Sequence, residues 1–229
     1  MKKALAVILF LLLSFSVHAD DADVTTTVPE EAETAEETTS QGDEISFSGG
    51  SSSIVLREGK ENVVLSDGAS VTVGSMVITS DTITLSGNNW RYVSCSGQTS
   101  VSDPERGISI RTKGIWYDRI DERILISTWF EVDDTMNEVS ATGASLEYRL
   151  SEERLQLDKS VSLLKATDSG IMRCQAESVI FSRNDNMLTL RGNASVNWDG
   201  DRYGAEVISV DLNTDSISLE GRISGNING

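Results

Sequence analysis

Apolar and polar residues alternate along most of the chain from Ile45 onward, with Gly, Asn and Asp interrupting at short intervals. Met76-Val-Ile-Thr-Ser-Asp-Thr-Ile-Thr-Leu85 and Asn193-Ala-Ser-Val-Asn-Trp198 are typical runs. A period of two with frequent turn residues predicts short strands joined as hairpins. One stretch fits a second template: Leu146, Leu150, Leu157, Val161 and Leu164 also fall on one face of a helix.

An internal repeat decides between the two. Gly114-Ile-Trp-Tyr-Asp-Arg-Ile-Asp-Glu-Arg-Ile-Leu-Ile126 has the same shape as the runs starting at Ala144, Ala176 and Ala205. In each, a small residue is followed by an aromatic or β-branched one (Tyr117, Tyr148, Phe181, Val210), a polar turn and an alternating apolar pair. The starts lie 30, 32 and 29 residues apart. Turns such as Arg183-Asn-Asp-Asn186 do not suit a helix, so all four units are expected as strands. A period near 30 built of hairpins predicts an elongated stack.

The N-terminus changes the organisation. Lys2 and Lys3 precede an apolar run from Ala4 to Phe15, and Val17-His18-Ala19 has the small-x-small pattern of a cleavage site. Residues 1–19 therefore read as a signal peptide, with the mature chain starting at Asp20. Residues 20–44 hold ten acidic residues and no Lys or Arg. Almost nothing there is large and apolar, so an acidic disordered leader is expected. Residues 45–229 form the expected β-domain.

The net charge of −17 argues against nucleic acid as a partner, because phosphate binding needs a basic face. His18 is the only histidine, so the mature chain is expected to lack one. That removes Ser-His-Asp and Cys-His mechanisms. Glu152-Glu153 and Asp133-Asp134 are adjacent pairs whose members point to opposite faces of a strand, so no catalytic pair is expected from them. Asp103 and the Asp199–Asp201 turn match no calcium loop, and no metal or cofactor is expected. Cys95 and Cys174, in an exported chain, form a possible disulfide or two buried thiols.

The repeat units resemble the LptA/OstA family, in a segment from about Met76 to Ser224. Val179-Ile-Phe181 followed by Leu188-Thr-Leu-Arg-Gly-Asn-Ala-Ser-Val196 carries the likeness best; in Leu155-Gln-Leu157 the next copy has Lys159 where the family has Gly. The resemblance implies an all-β, elongated and open V-shaped β-jelly roll of repeated antiparallel hairpins. It also implies a periplasmic, non-enzymatic transport protein. Such a protein shields the acyl chains of lipopolysaccharide or another acylated glycolipid and assembles end to end, with itself and other envelope transport proteins. The alternatives are a structural or adhesive β-solenoid with a dry interior and a carboxylate-dependent glycan hydrolase.

Alternation places one row inward: Ile115, Tyr117, Ile124, Ile126, Leu146, Tyr148, Leu155, Leu157, Val179, Phe181, Leu188, Leu190, Ile208, Val210, Ile217 and Leu219. These are the expected lining of a lipid groove, or plain core. Arg106, Arg111, Lys113, Arg119 and Arg123 are dense for so acidic a chain and form a candidate rim for phosphate or an acidic partner.

Overall fold

The computed structural model describes residues 44–57 and 60–227. The expected signal peptide and nearly all of the acidic leader lie outside the described residues. The rest is strand after strand: β1 (Ile45–Ser48), β2 (Ser51–Val55), β3 (Asn62–Val73), β4 (Met76–Ser86), β5 (Tyr92–Asp103), β6 (Ile108–Asp118), β7 (Arg123–Ile126), β8 (Phe130–Asp134), β9 (Val139–Gly143), β10 (Ser145–Arg149), β11 (Arg154–Thr167), β12 (Gly170–Ser182), β13 (Met187–Trp198), β14 (Asp201–Asp211), β15 (Ser216–Glu220) and β16 (Ser224–Asn226). The helix-compatible stretch around Leu146–Leu164 is strand, as the repeat requires.

All pairings are antiparallel and join the strands into one ladder. The long strands are bent once near their middles. In β3, β5, β11 and β13 the bend coincides with a register shift that leaves extra residues unpaired: Asp67-Gly68, Gly97-Gln98, Lys159-Ser160 and Gly192-Asn193. Such bulges bend a strand and are at home at the corners of rolls. Several of these residues are left-handed, with φ of 75° at Gly192 and 48° at Asn193. A Cβ on Gly192 would also meet the Glu177 side chain at 2.8 Å. The Gly-Asn of the repeat is therefore the corner itself. Lys159, where the resemblance had suggested a departure, adopts the same conformation at φ 66°.

The shorter strands are halves of bent rungs. β1 and β2 pair with the two ends of β3, and β7 and β8 pair with the two ends of β6. β10 and β9 pair with the two ends of β11, and β15 and β16 with those of β14. The described residues thus make twelve bent rungs, each with two arms. At about 4.8 Å per rung the ladder spans roughly 50 Å.

Each arm buries one face. Val63, Leu65, Ile83 and Leu85 alternate with more exposed neighbours in the first arm, and Val71, Ile78, Ile110 and Val132 do so in the second. The buried residues of both arms form a single cluster, so the arms face each other across one core. Burial of each such side chain contributes roughly 1.5–3 kcal/mol.

The repeat period is the spacing of stacked turns. On the first arm, the Arg119 N–H donates to Arg91 O (2.9 Å), Leu150 to Glu122 (2.9 Å), Arg183 to Glu153 (3.0 Å) and Leu212 to Asn186 (2.8 Å). Glu122, Glu153, Asn186 and Asp215 are all left-handed, with φ between 46° and 53°. Each hairpin hands its turn carbonyl to the next, so the turns stay in line along the roll.

Candidate functional site

The interior is lined by the residues that alternation directs inward. Fourteen of the sixteen inward candidates are at most 5% exposed; Ile217 and Leu219, on the last rung, are only partly buried. All sixteen lie on the first arm. The facing arm, with Val71, Ile78, Ile110, Phe130, Leu163 and Val196, was not singled out. Its alternation is equally regular, but it lies outside the hairpin motif that marked the repeat.

Opposite the row of bends, the turns of the two arms meet and form a mouth. Here Arg183, in the first-arm turn between β12 and β13, reaches across to the second arm. Its Nε donates to Asp134 Oδ2 at 2.6 Å, and the two side chains are 4% and 3% exposed. It also donates to the carbonyl of Arg106 and to Glu153 Oε2 at 3.4 Å. Asp134 in turn accepts from the amides of Met136 (3.1 Å) and Asn137 (3.0 Å), capping its own turn. The pair is charged, buried and hydrogen-bonded on both sides, which is the condition for keeping charge away from water. Tyr148 approaches the same seam, and burial raises its phenol pKa. Next to it, Val73–Met76, Glu105, Arg106, Tyr117, Glu122 and Leu150 enclose a cavity of about 330 Å3. Arg183 was missed in the sequence because it stands apart from the basic cluster. The signal was its position: it aligns with Arg119, Leu150 and Leu212, at a turn site that two of the four repeats fill with an apolar side chain.

The five rim candidates are dispersed. Arg106 sits in the β5–β6 turn, bonded to Asp103 at 2.8 Å. Arg119 lies in a turn of the other arm and donates to the carbonyls of Asn89 (3.0 Å) and Trp90 (3.1 Å). Arg123 holds Glu147 through two bonds of 2.9 and 3.1 Å on the outer face of the first arm. Arg111 and Lys113 share the outer face of the second arm, where Arg111 meets Glu131 at 2.6 Å and Asp133 at 3.6 Å. Only these last two are brought together.

The carboxylate pairs separate as their strand geometry requires. Asp134 is buried while Asp133 faces outward toward Ser140 (2.6 Å). Glu152 pairs with Arg149 and Glu153 with Arg183. Asp103 is committed to Ser75 and Arg106. Burial opposes its ionisation, but these donors outweigh burial and hold its pKa below the ordinary value.

One of the two alternatives for the cysteines is overturned. Cys95 on β5 and Cys174 on β12 are buried free thiols. They stand on different arms, five rungs apart in the ladder. Five rungs at about 4.8 Å is about 24 Å, against the roughly 7 Å that a disulfide can span.

No protein-family model matches the chain, and no curated protein is significantly similar to it. Among solved structures, the chain is similar to LptH, described as the LptA-homologous periplasmic component of the conserved lipopolysaccharide transport device from Pseudomonas aeruginosa. The identity is 14% over 82% of this chain and 96% of that one, with a TM-score of 0.25. At that score the likeness carries no argument about function.

Proposed function

We propose that this is an exported, periplasmic carrier that shields the acyl chains of lipopolysaccharide or another glycolipid between its arms and assembles end to end into a bridge between membranes. The observation that carries the reading is the form of the ladder. Among the described residues, β1 and β2 pair only with β3, and β15 and β16 only with β14. Both end rungs therefore offer free N–H and C=O groups to another strand. Apolar side chains accompany them: Phe47, Ile54, Val55 and Leu56 at one end, Ile223 and Ile227 at the other, are 47–73% exposed. Between the ends, the two facing apolar rows run continuously, and each methylene transferred into them would contribute about 0.8 kcal/mol.

The inward rows touch each other, so an acyl chain enters only if the arms part. The Arg183–Asp134 bond lies where they would part. The same tight packing favours a second reading, a structural β-roll with no ligand.

The deciding experiment is purification from the native host, with mass spectrometry of co-purified lipid and measurement of mass in solution. The carrier reading expects a stoichiometric acylated lipid and concentration-dependent oligomers. Lipid-free protein that also stays monomeric overturns it. Lipid-free protein that polymerises leaves the structural roll.

A further inference from the structure

The outer surface of the second arm holds a notch that neither the core nor the mouth explains. It has a volume of about 360 Å3 and is lined by Thr79, Gln98, Ser100, Arg111, Lys113 and Trp129, with Thr99 and Thr112 at its floor. That volume lies at the small end of the roughly 300–1,000 Å3 of ligand pockets.

The notch is built rather than incidental. Thr79, Ser100, Arg111 and Glu131 stand opposite one another on four successive rungs, forming one polar row. The β7–β8 rung is broken at Ser127–Trp129. There Phe130 turns inward, fully buried, and Trp129 turns outward, 49% exposed. The last paired residues of β6 and β8 are Thr112 and Phe130, so Lys113 and Trp129 stand opposite each other one step beyond. The hydroxyl of Thr112, itself 3% exposed, donates to the Trp129 carbonyl at 2.8 Å. A buried hydroxyl thus fixes the backbone of an exposed aromatic residue. Lys113 is exposed and has no ion-pair partner among the described residues, in a chain with net charge −17.

We infer that this notch binds an acidic pyranose, a sugar ring carrying phosphate or carboxylate. A flat indole face accepts the apolar face of a sugar ring while its surroundings stay wet. Thr79, Ser100 and Gln98 supply both donors and acceptors for ring hydroxyls. Lys113 supplies the uncompensated charge that selects an anion, while the guanidinium of Arg111 is shared with Glu131 and Asp133 at the edge of the notch. An apolar ligand would leave the polar row unused, and inorganic phosphate would leave the indole unused. The inference goes beyond the carrier reading, since Gln98 and Lys113 sit at the row of bends, opposite the mouth, and its test needs no acyl chain and no opening of the arms.

The test is calorimetric titration of the full chain with glucose 6-phosphate, glucose, inorganic phosphate and AMP. Glucose 6-phosphate is expected to bind at least tenfold more tightly than the other three. Trp129→Ala is expected to weaken it about tenfold or more. Lys113→Gln is expected to weaken it comparably while leaving glucose binding unchanged. Trp116→Ala, an exposed tryptophan on the other arm, is the control and is expected to change nothing. Equal binding of phosphate or AMP, or wild-type affinity in Trp129→Ala with an unchanged urea midpoint, overturns the site. Competition identifies the source of the sugar. Displacement by both intact and deacylated lipopolysaccharide assigns it to a lipid head group, and displacement by the deacylated form alone to a free glycan. Displacement by neither, with glucose 6-phosphate still bound tenfold more tightly than the other three, supports the acidic-sugar site and excludes lipopolysaccharide as its source.

Discussion

Arg183 and Asp134 are 49 residues apart in sequence and 2.6 Å apart in space, and their bond ties one arm of the roll to the other across the mouth. Among the described residues, the buried apolar side chains of the two arms form one cluster behind this bond. Arg183→Met leaves the buried Asp134 carboxyl without its cationic partner, and removing one partner of a buried pair costs about 3–5 kcal/mol. Urea unfolding is expected to show a loss of that order. Arg183→Met with Asp134→Leu is expected to recover much of it, because two apolar side chains suit the seam. If the double variant is as unstable as the single one, the bond is not the source of the loss.

Lys159 holds a left-handed conformation at a corner where the parallel bulge in β13 has Gly192. A side chain there costs roughly 1–2 kcal/mol relative to glycine, partly offset by the greater freedom glycine gains on unfolding. Lys159→Gly is therefore expected to raise stability by about 0.5–1 kcal/mol, read as a higher urea midpoint. The reverse change, Gly192→Lys, is expected to destabilise, since the new Cβ would press on Glu177. A lower midpoint for Lys159→Gly would refute the corner argument.

Burial pushes both thiols, Cys95 and Cys174, up to about 12. The thiolate is the reactive form. Native protein is expected to resist a disulfide-exchange reagent at pH 8, and denatured protein to release two equivalents of thiol promptly. Rapid labelling of the native state would show that the core around β5 or β12 opens.

Asp118 and Glu147 carry a pH dependence of stability. Burial works against ionisation of Asp118, but Arg91, at 2.6–2.9 Å, and the amides of Ile120 and Asp121 outweigh it and depress its pKa. At Glu147 the Arg123 guanidinium leads and burial opposes it. A depressed folded pKa means that the unfolded state takes up the proton first on acidification. The stabilisation is therefore full above the unfolded values of about 4 and is lost as pH falls through the lower folded values. The gap in urea midpoint between wild type and Asp118→Asn is expected to be constant from pH 7 to 5 and to close below about pH 4. A gap that persists at pH 2 would contradict the assignment.

The repeat and the strand texture were legible in the sequence because each depends on local rules. Alternation decides which face of a strand is buried, and the turn residues recur because each turn must hand a carbonyl to the next. These two rules placed Ile115–Ile126 and its three copies on one buried face and overrode a helical pattern around Leu157. The bends were partly legible, since Gly192-Asn193 is visible but Lys159-Ser160 does the same work without glycine.

What one arm faces is not a local property. Arg183 reads as another surface arginine until the arms close and bring Asp134 and the Arg106 carbonyl to it. The basic cluster from Arg106 to Arg123 reads as one rim, yet alternation and bending send its members to two turns and two outer faces. The cysteines are separated in the same way, because distance in a ladder is counted in rungs. The strands, their inward rows and their period are all set by interactions within a few residues, so the local pattern is enough to specify them. The mouth, the Trp129 notch and the free thiols arise from folding, because each depends on which residues of distant rungs and opposite arms come to share one place.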